Sequence, residues 1–140
     1  NDGGKITIFD RTWYGRVLVE RIEGFASAVE WQRAYNEINR FEENLVDSQT
    51  VIVKIWLAIS KDEQEVRFKD REQTPHKRFK ITEEDWRNRD KWDDYLEAAA
   101  DMFERTSTNY APWHVIATDD KNTARIEVLK AILKQLKADE

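Results

Sequence analysis

The stretch that most restricts how this chain can fold is Val51-Ile52-Val53-Lys54-Ile55-Trp56-Leu57-Ala58-Ile59, nine residues with one charge among them. An apolar run of that length, without polar alternation, predicts a parallel strand covered on both faces. Shorter runs at Ile6–Phe9 and Trp113–Ala117 predict strands before and after it. Helical patterns fill the intervals. Trp31, Ala34, Tyr35, Ile38, Phe41 and Leu45 share a face at helical spacing. So do Trp92, Tyr95, Leu96, Ala99, Met102 and Phe103, and later Ile126, Leu129, Ile132, Leu133 and Leu136. Capping boxes mark helix starts at Ser27 with Glu30, Ser60 with Glu63 and Thr82 with Asp85. The alternation of strands and helices predicts an α/β fold with a parallel sheet and right-handed crossovers. The first strand has no element before it, so an upstream segment or another chain would have to cover its open edge.

With 140 residues the chain is one domain or part of one. It has no cysteine, which excludes disulfides and thiolate metal sites. No apolar run approaches the ~20 residues of a membrane span and no signal-peptide pattern opens the chain, so a cytoplasmic protein is expected. A net charge of -5 argues against nucleic-acid binding by the whole surface.

Ligands of an open parallel sheet gather beyond the carboxyl ends of its strands. Those ends would present Asp10-Arg11, Ser60-Lys61-Asp62 and Thr118-Asp119-Asp120-Lys121. Asp10 at a strand terminus suits an acid that holds magnesium against phosphate oxygens, although spacing alone favours a cap for a helix beginning near Thr12. Arg11, Arg16, Glu20 and Arg21 follow closely, either as surface ion pairs or as parts of a phosphate cradle.

The second concentration of charge is Arg67 to Lys80, where six of fourteen residues are Lys or Arg and two are acidic. Arg67 and Arg71 share a helix face, and Pro75 turns the following residues into loop. Helix, basic hinge and helix is how a mobile lid over a polyphosphate would be built, with its arginines stabilising charge in phosphoryl transfer. A solvated charged face fits the same composition. His76 and His114 stand far apart and suggest neither a metal site nor a catalytic triad. No Gly-x-x-x-x-Gly-Lys-[Ser/Thr] loop is present, so the backbone cradle for phosphate is missing from this stretch.

Asp10-Arg11-Thr12-Trp13-Tyr14-Gly15-Arg16, continuing to Phe25, resembles the second nucleotide-binding motif of polyphosphate kinase family 2. Glu63 through Arg71, then Thr74-Pro75-His76-Lys77-Arg78-Phe79-Lys80-Ile81-Thr82, resembles the lid of that family. Ala111-Pro112-Trp113, Asp119-Asp120-Lys121 and Ala124-Arg125 resemble its last strand and nucleotide-side loop. Gly15 and Trp31-Gln32-Arg33-Ala34-Tyr35 look most like the polyphosphate:AMP phosphotransferase branch.

The resemblance implies a P-loop-kinase-like, thymidylate-kinase-like parallel sheet with flanking helices and a helical lid. This chain would be its C-terminal part, with a Walker B strand at 6–10 and a lid at about 62–82. The implied activity is magnesium-dependent (Mg2+) phosphoryl transfer between inorganic polyphosphate and a nucleotide, AMP to ADP favoured. Asp10 matches the magnesium-associated acid. Arg11, Arg16, Glu20 and Arg21 match residues that organise phosphates, Glu20 by orienting an arginine. Arg67, Arg71, Lys77 and Lys80 match lid residues that meet phosphates, and Asp119 and Lys121 the nucleotide-side loop. The implied partners are polyphosphate, AMP or ADP and the missing N-terminal half of the same domain. A homo-oligomer is allowed, whereas membrane and nucleic acid are not expected. A non-catalytic polyphosphate- or nucleotide-binding module is the alternative.

Overall fold

The computed structural model describes residues 6–9, 12–73 and 90–138. Their sheet has two strands, β1 (Lys54–Ala58) and β2 (Trp113–Ala117), which run parallel with Lys54 opposite Trp113 and Ala58 opposite Ala117. The long apolar run thus forms a strand only over five of its residues, because β2 offers a ladder of that length. A 3₁₀ segment, Trp13–Val17, leads into the short α1 (Val19–Ile22) and the long α2 (Ala28–Asp47). Helix α3 (Lys61–Gln73) follows β1, α4 (Trp92–Thr106) precedes β2, and α5 (Lys121–Ala138) follows it.

The first strand expected at 6–10 does not form over residues 6–9. These residues have no regular structure, and Ile6 and Ile8 are 86% and 90% exposed. β-branched residues favour extended backbone, but a strand exists only where a neighbour supplies a ladder. Among the described residues that neighbour is absent, and Phe9 instead meets Trp13 edge-on, with ring centroids 5.8 Å apart.

The helix starts follow the local chemistry to different degrees. Ser27 and Glu30 form the full reciprocal box at α2, worth ~1 kcal/mol. At α3 only the forward half forms, from the Glu63 amide to the Ser60 hydroxyl. The box expected at Thr82 and Asp85 lies outside the described residues. Helix α1 closes at Gly24, whose φ of 76° lets the Phe25 amide reach back to the Glu20 carbonyl and its own amide to Arg21.

The core is aromatic. Tyr14, Val17, Ala34, Tyr35, Ile38 and Met102 are buried, and Trp13, Trp31, Trp56 and Trp113 pack around them. Phe103 sits edge-on to both Trp56 and Trp113, with ring centroids 5.5 Å away in each case. The apolar stripe of α5 behaves differently: Ile126, Leu129 and Leu133 are more than half exposed among the described residues. Leu57 of β1 and Val115 of β2 are half exposed as well, so covering on both faces is incomplete within them.

Inside the core lies a polar knot. Glu42 of α2 is fully buried, and Lys54 at the start of β1 nearly so. The Lys54 ammonium donates to Glu42 Oε1 at 3.0 Å, to the Tyr14 hydroxyl at 3.0 Å and to the Thr106 carbonyl at 2.6 Å. Glu42 Oε2 accepts from the Tyr14 hydroxyl and, at 3.0 Å, from the Trp13 indole. All three ammonium protons and both carboxylate oxygens therefore have partners. Burial lowers the Lys54 pKa against the pull of Glu42, while burial and the adjoining Glu42 carboxylate push the Tyr14 phenol up.

Breaking such a pair from one side leaves a buried charge alone. Glu42→Leu is expected to reduce unfolding free energy by about 3–5 kcal/mol in urea denaturation. Adding Lys54→Met to Glu42→Leu should recover part of that loss, because no lone ammonium then remains.

Candidate functional site

Both parallel strands end at one edge of the molecule, and their ends are tied together by Asp119. The residue follows β2 at the first bend, where the chain turns into α5. Its Oδ1 accepts from the Ser60 amide at 2.8 Å and its Oδ2 from the Ser60 hydroxyl at 2.9 Å. Ser60 stands between β1 and α3, so one carboxylate joins the ends of two strands and the start of a helix. Arg67 of α3 reaches the same loop, donating Nη2 to the Asp119 carbonyl at 3.0 Å while its Nε bonds Glu63 at 3.0 Å.

A cleft of about 590 Å³ opens beside this junction, with Leu57, Ile59, Arg67, Thr118, Lys121 and Arg125 among its lining residues. The acids at the adjoining loop are already engaged. Asp120 caps α5, with Oδ1 accepting from the Asn122 amide and Oδ2 from the Thr123 hydroxyl. Three cationic side chains thus face a cleft in a chain that is acidic overall. Such a cleft can attract and orient an anion, with apolar Leu57 and Ile59 beside it for a flat or greasy group.

The Ser60 amide and then its hydroxyl, with Arg67 adding to them, hold the Asp119 carboxyl below its ordinary value. The Asn122 amide and the Thr123 hydroxyl lower Asp120 likewise. At α2, the Ser27 amide and hydroxyl lower Glu30, with Arg16 contributing.

The remaining expected residues divide into pairs. Arg16 and Glu20 meet at 3.5 Å, and Arg16 also approaches Glu30 at 3.8 Å, all on the surface. Arg21 is more enclosed. Its guanidinium lies 4.0 Å from the centroid of Trp31, donates to Asp101 of α4 at 2.9 Å and approaches the Tyr35 hydroxyl at 3.3 Å. Burial alone would pull the Arg21 pKa down, and Asp101 and Tyr35 outweigh it. Arg71 stands four residues beyond Arg67 on α3, its side chain outside the described set. Asp10, Arg11, Lys77 and Lys80 lie outside the described residues, as does His76. His114 bonds Gln135 of α5 at 2.9 Å, in keeping with a structural role.

Among the described residues no group of three or more acids or histidines is placed to hold a metal ion. Asp10, the acid expected to hold magnesium, lies outside them.

Two groups of important residues escaped the sequence reading. Ser60 was legible as a cap but not as the partner of a residue 59 positions away. Glu42 and Lys54 did leave a signal. Glu42 sits seven residues beyond Tyr35 on the core-facing stripe of α2, and Lys54 is the one charge in the apolar run.

The junction makes a direct prediction. A carbon-13 NMR titration should place the Asp119 carboxyl below the ordinary 3.8, and Ser60→Ala should move it back toward that value. The sign follows from the depressed pKa: the contact is present above the ordinary carboxyl range and is lost as pH falls through the folded value.

A family model described as polyphosphate kinase 2 (PPK2) matches residues 2–140. A polyphosphate:AMP phosphotransferase of Acinetobacter johnsonii is 80% identical over 134 residues, which are 96% of this chain and 28% of the relative. Another of that description, from Pseudomonas aeruginosa, is 59% identical over 96% of this chain and 27% of its own length. A solved structure described as a candidate polyphosphate kinase 2 from Pseudomonas aeruginosa PA01 superposes with a TM-score of 0.90 at 59% identity, covering 95% of this chain and 28% of that one. The chain thus spans a little over a quarter of the length of these relatives.

Proposed function

The chain belongs to the polyphosphate kinase 2 family, and from that premise we propose that its parent protein moves the terminal phosphoryl group of inorganic polyphosphate to AMP. The products are ADP and a polyphosphate shorter by one unit, and the reaction is reversible. AMP is favoured as acceptor because both relatives named above are polyphosphate:AMP phosphotransferases. The parent carries a thymidylate-kinase-like, P-loop-kinase-like domain, of which this chain supplies the later strands, the lid and the nucleotide-side loop. The phosphate loop comes from the missing N-terminal half. The setting is cytoplasmic; among the described residues no helix is long and apolar enough to cross a membrane.

The observation that best supports this reading is the cationic cleft at the strand ends, where Arg67 of α3 meets the loop that leads into α5 and Lys121. Phosphoryl transfer asks little covalent chemistry of a protein and much positioning of charge. Arg67, with Arg71, Lys77 and Lys80 from the basic tract, neutralises the phosphate chain. Lys121 draws the nucleotide side toward the cleft. Arg11 and Arg16 gather phosphates beside Asp10, with Glu20 orienting Arg16 through their ion pair. Arg21 serves the same region from its seat on Trp31. Asp10 would hold magnesium, which would supply electrostatic stabilisation of the phosphates.

The test is magnesium-dependent transfer from polyphosphate to AMP and to ADP, run on the full-length parent and on residues 1–140 alone. Transfer by the parent only, faster to AMP, is the expected result. Asp10→Asn and Arg67→Ala in the parent should each lower kcat by about 10²–10³-fold, the scale of losing one electrostatic stabiliser. A near-normal rate in Asp10→Asn would take that acid out of the mechanism. Polyphosphate binding without any turnover by the parent would make the chain part of a binding module instead.

A further inference from the structure

Asp119 spends both carboxylate oxygens on a single residue. Ser60 gives its amide to Oδ1 at 2.8 Å and its hydroxyl proton to Oδ2 at 2.9 Å. That hydroxyl also accepts the Glu63 amide at 3.1 Å, in the first turn of α3. Local chemistry would have closed this turn differently. At α2 the acid three residues on returns to the amide of the capping serine, as Glu30 does to Ser27 at 3.0 Å. At α3 the equivalent acid, Glu63, bonds Arg67 instead, and the Ser60 amide passes to Asp119. Arg67 then completes the circuit by donating to the Asp119 carbonyl.

A helix start that could have been closed from within is thus closed by a residue of the other strand's loop. The exchange has a geometric consequence. Helix α3 begins the basic tract, and its direction on leaving β1 is set where Ser60 and Arg67 grip residue 119. Lys121 stands two residues further along, at the first position of α5, on the lining of the cleft. An exposed carboxylate gains little stability from such contacts, so their value lies in fixing orientation.

We propose that Asp119 is a positioning residue, a clamp that couples α3 to the loop between β2 and α5 so that Arg67 and Lys121 face the cleft together. Its role in transfer rests on the phosphotransferase reading above; its role as a clamp does not. Asp119 therefore acts through Ser60 and Arg67, and its carboxylate does not touch the nucleotide.

The experiment is a double-mutant cycle in the full-length parent with Asp119→Ala, Ser60→Ala and the pair, joined to amide hydrogen exchange. Asp119→Ala is expected to lower kcat by about tenfold with less than about threefold change in KM for AMP, as for a displaced positioning group. The pair should be no slower than Asp119→Ala alone, since both changes break one linkage. Asp119→Asn, whose amide oxygen can still accept from the Ser60 amide, should recover most of the rate. Independently of turnover, Asp119→Ala should speed exchange at the Glu63 and Gln64 amides by about tenfold and leave α2 unchanged. Multiplying losses in the pair, or a large rise in KM, would overturn the proposal and make Asp119 a substrate contact. Unchanged exchange at α3 would overturn it too. A parent that transfers nothing would refute the phosphotransferase reading, and the exchange result would still decide the clamp.

Discussion

The buried ion pair of Lys54 and Glu42 is the interaction on which the arrangement of this chain depends. With the Tyr14 hydroxyl, the Trp13 indole and the Thr106 carbonyl, it joins the 3₁₀ segment, α2, β1 and the end of α4 at one point. The Trp113 indole adds β2 by donating to the Thr106 hydroxyl at 2.9 Å. Apolar packing alone tolerates sliding between such elements. A fully satisfied polar knot does not, because any shift strands a charge or a donor in a medium that cannot solvate it.

The knot lies at the amino ends of the two strands, and the cleft at their carboxyl ends. A five-residue strand separates them by roughly 17 Å, enough to keep the buried charges out of the chemistry while still fixing where the strands end. At the cleft end, polar contacts are exposed and individually weak. They determine direction more than stability, as the ties of Ser60 and Arg67 to residue 119 illustrate. Arg21 is a middle case, part enclosed between Trp31 and Asp101, where a cation on an aromatic face anchors α1 against α2 and α4.

Much of this was legible locally. The Ser27–Glu30 box, the helical spacing of α2 and α4 and the span of β2 follow from residues within one or two turns of each other. The place of Trp31 against the core follows from its position on the apolar stripe of α2. The candidate site was legible as residue types at strand ends, including Asp119 and Lys121, because an open parallel sheet puts its loops there whatever their details, whereas Arg67 was legible only as part of the basic tract. Its internal wiring was not legible. Nothing near Ser60 in the chain announces that its amide will leave Glu63 for a residue 59 positions away. Nor does the run at Ile6–Phe9 reveal whether a neighbouring strand is available to pair with it.

The sequence by itself determined which segments can be helix or strand, which faces are apolar and which chemical groups reach the strand ends. Those properties depend on backbone preference and on side-chain period, which act between near neighbours. Only the tertiary structure decided that Lys54 would find Glu42, that Arg21 would settle on Trp31 beside Asp101, and that Asp119 would take both donors of Ser60. A charge or hydrogen-bonding group carries no label for its partner. Pairing is settled by which groups the packed elements bring within about 3 Å of one another, away from competing water.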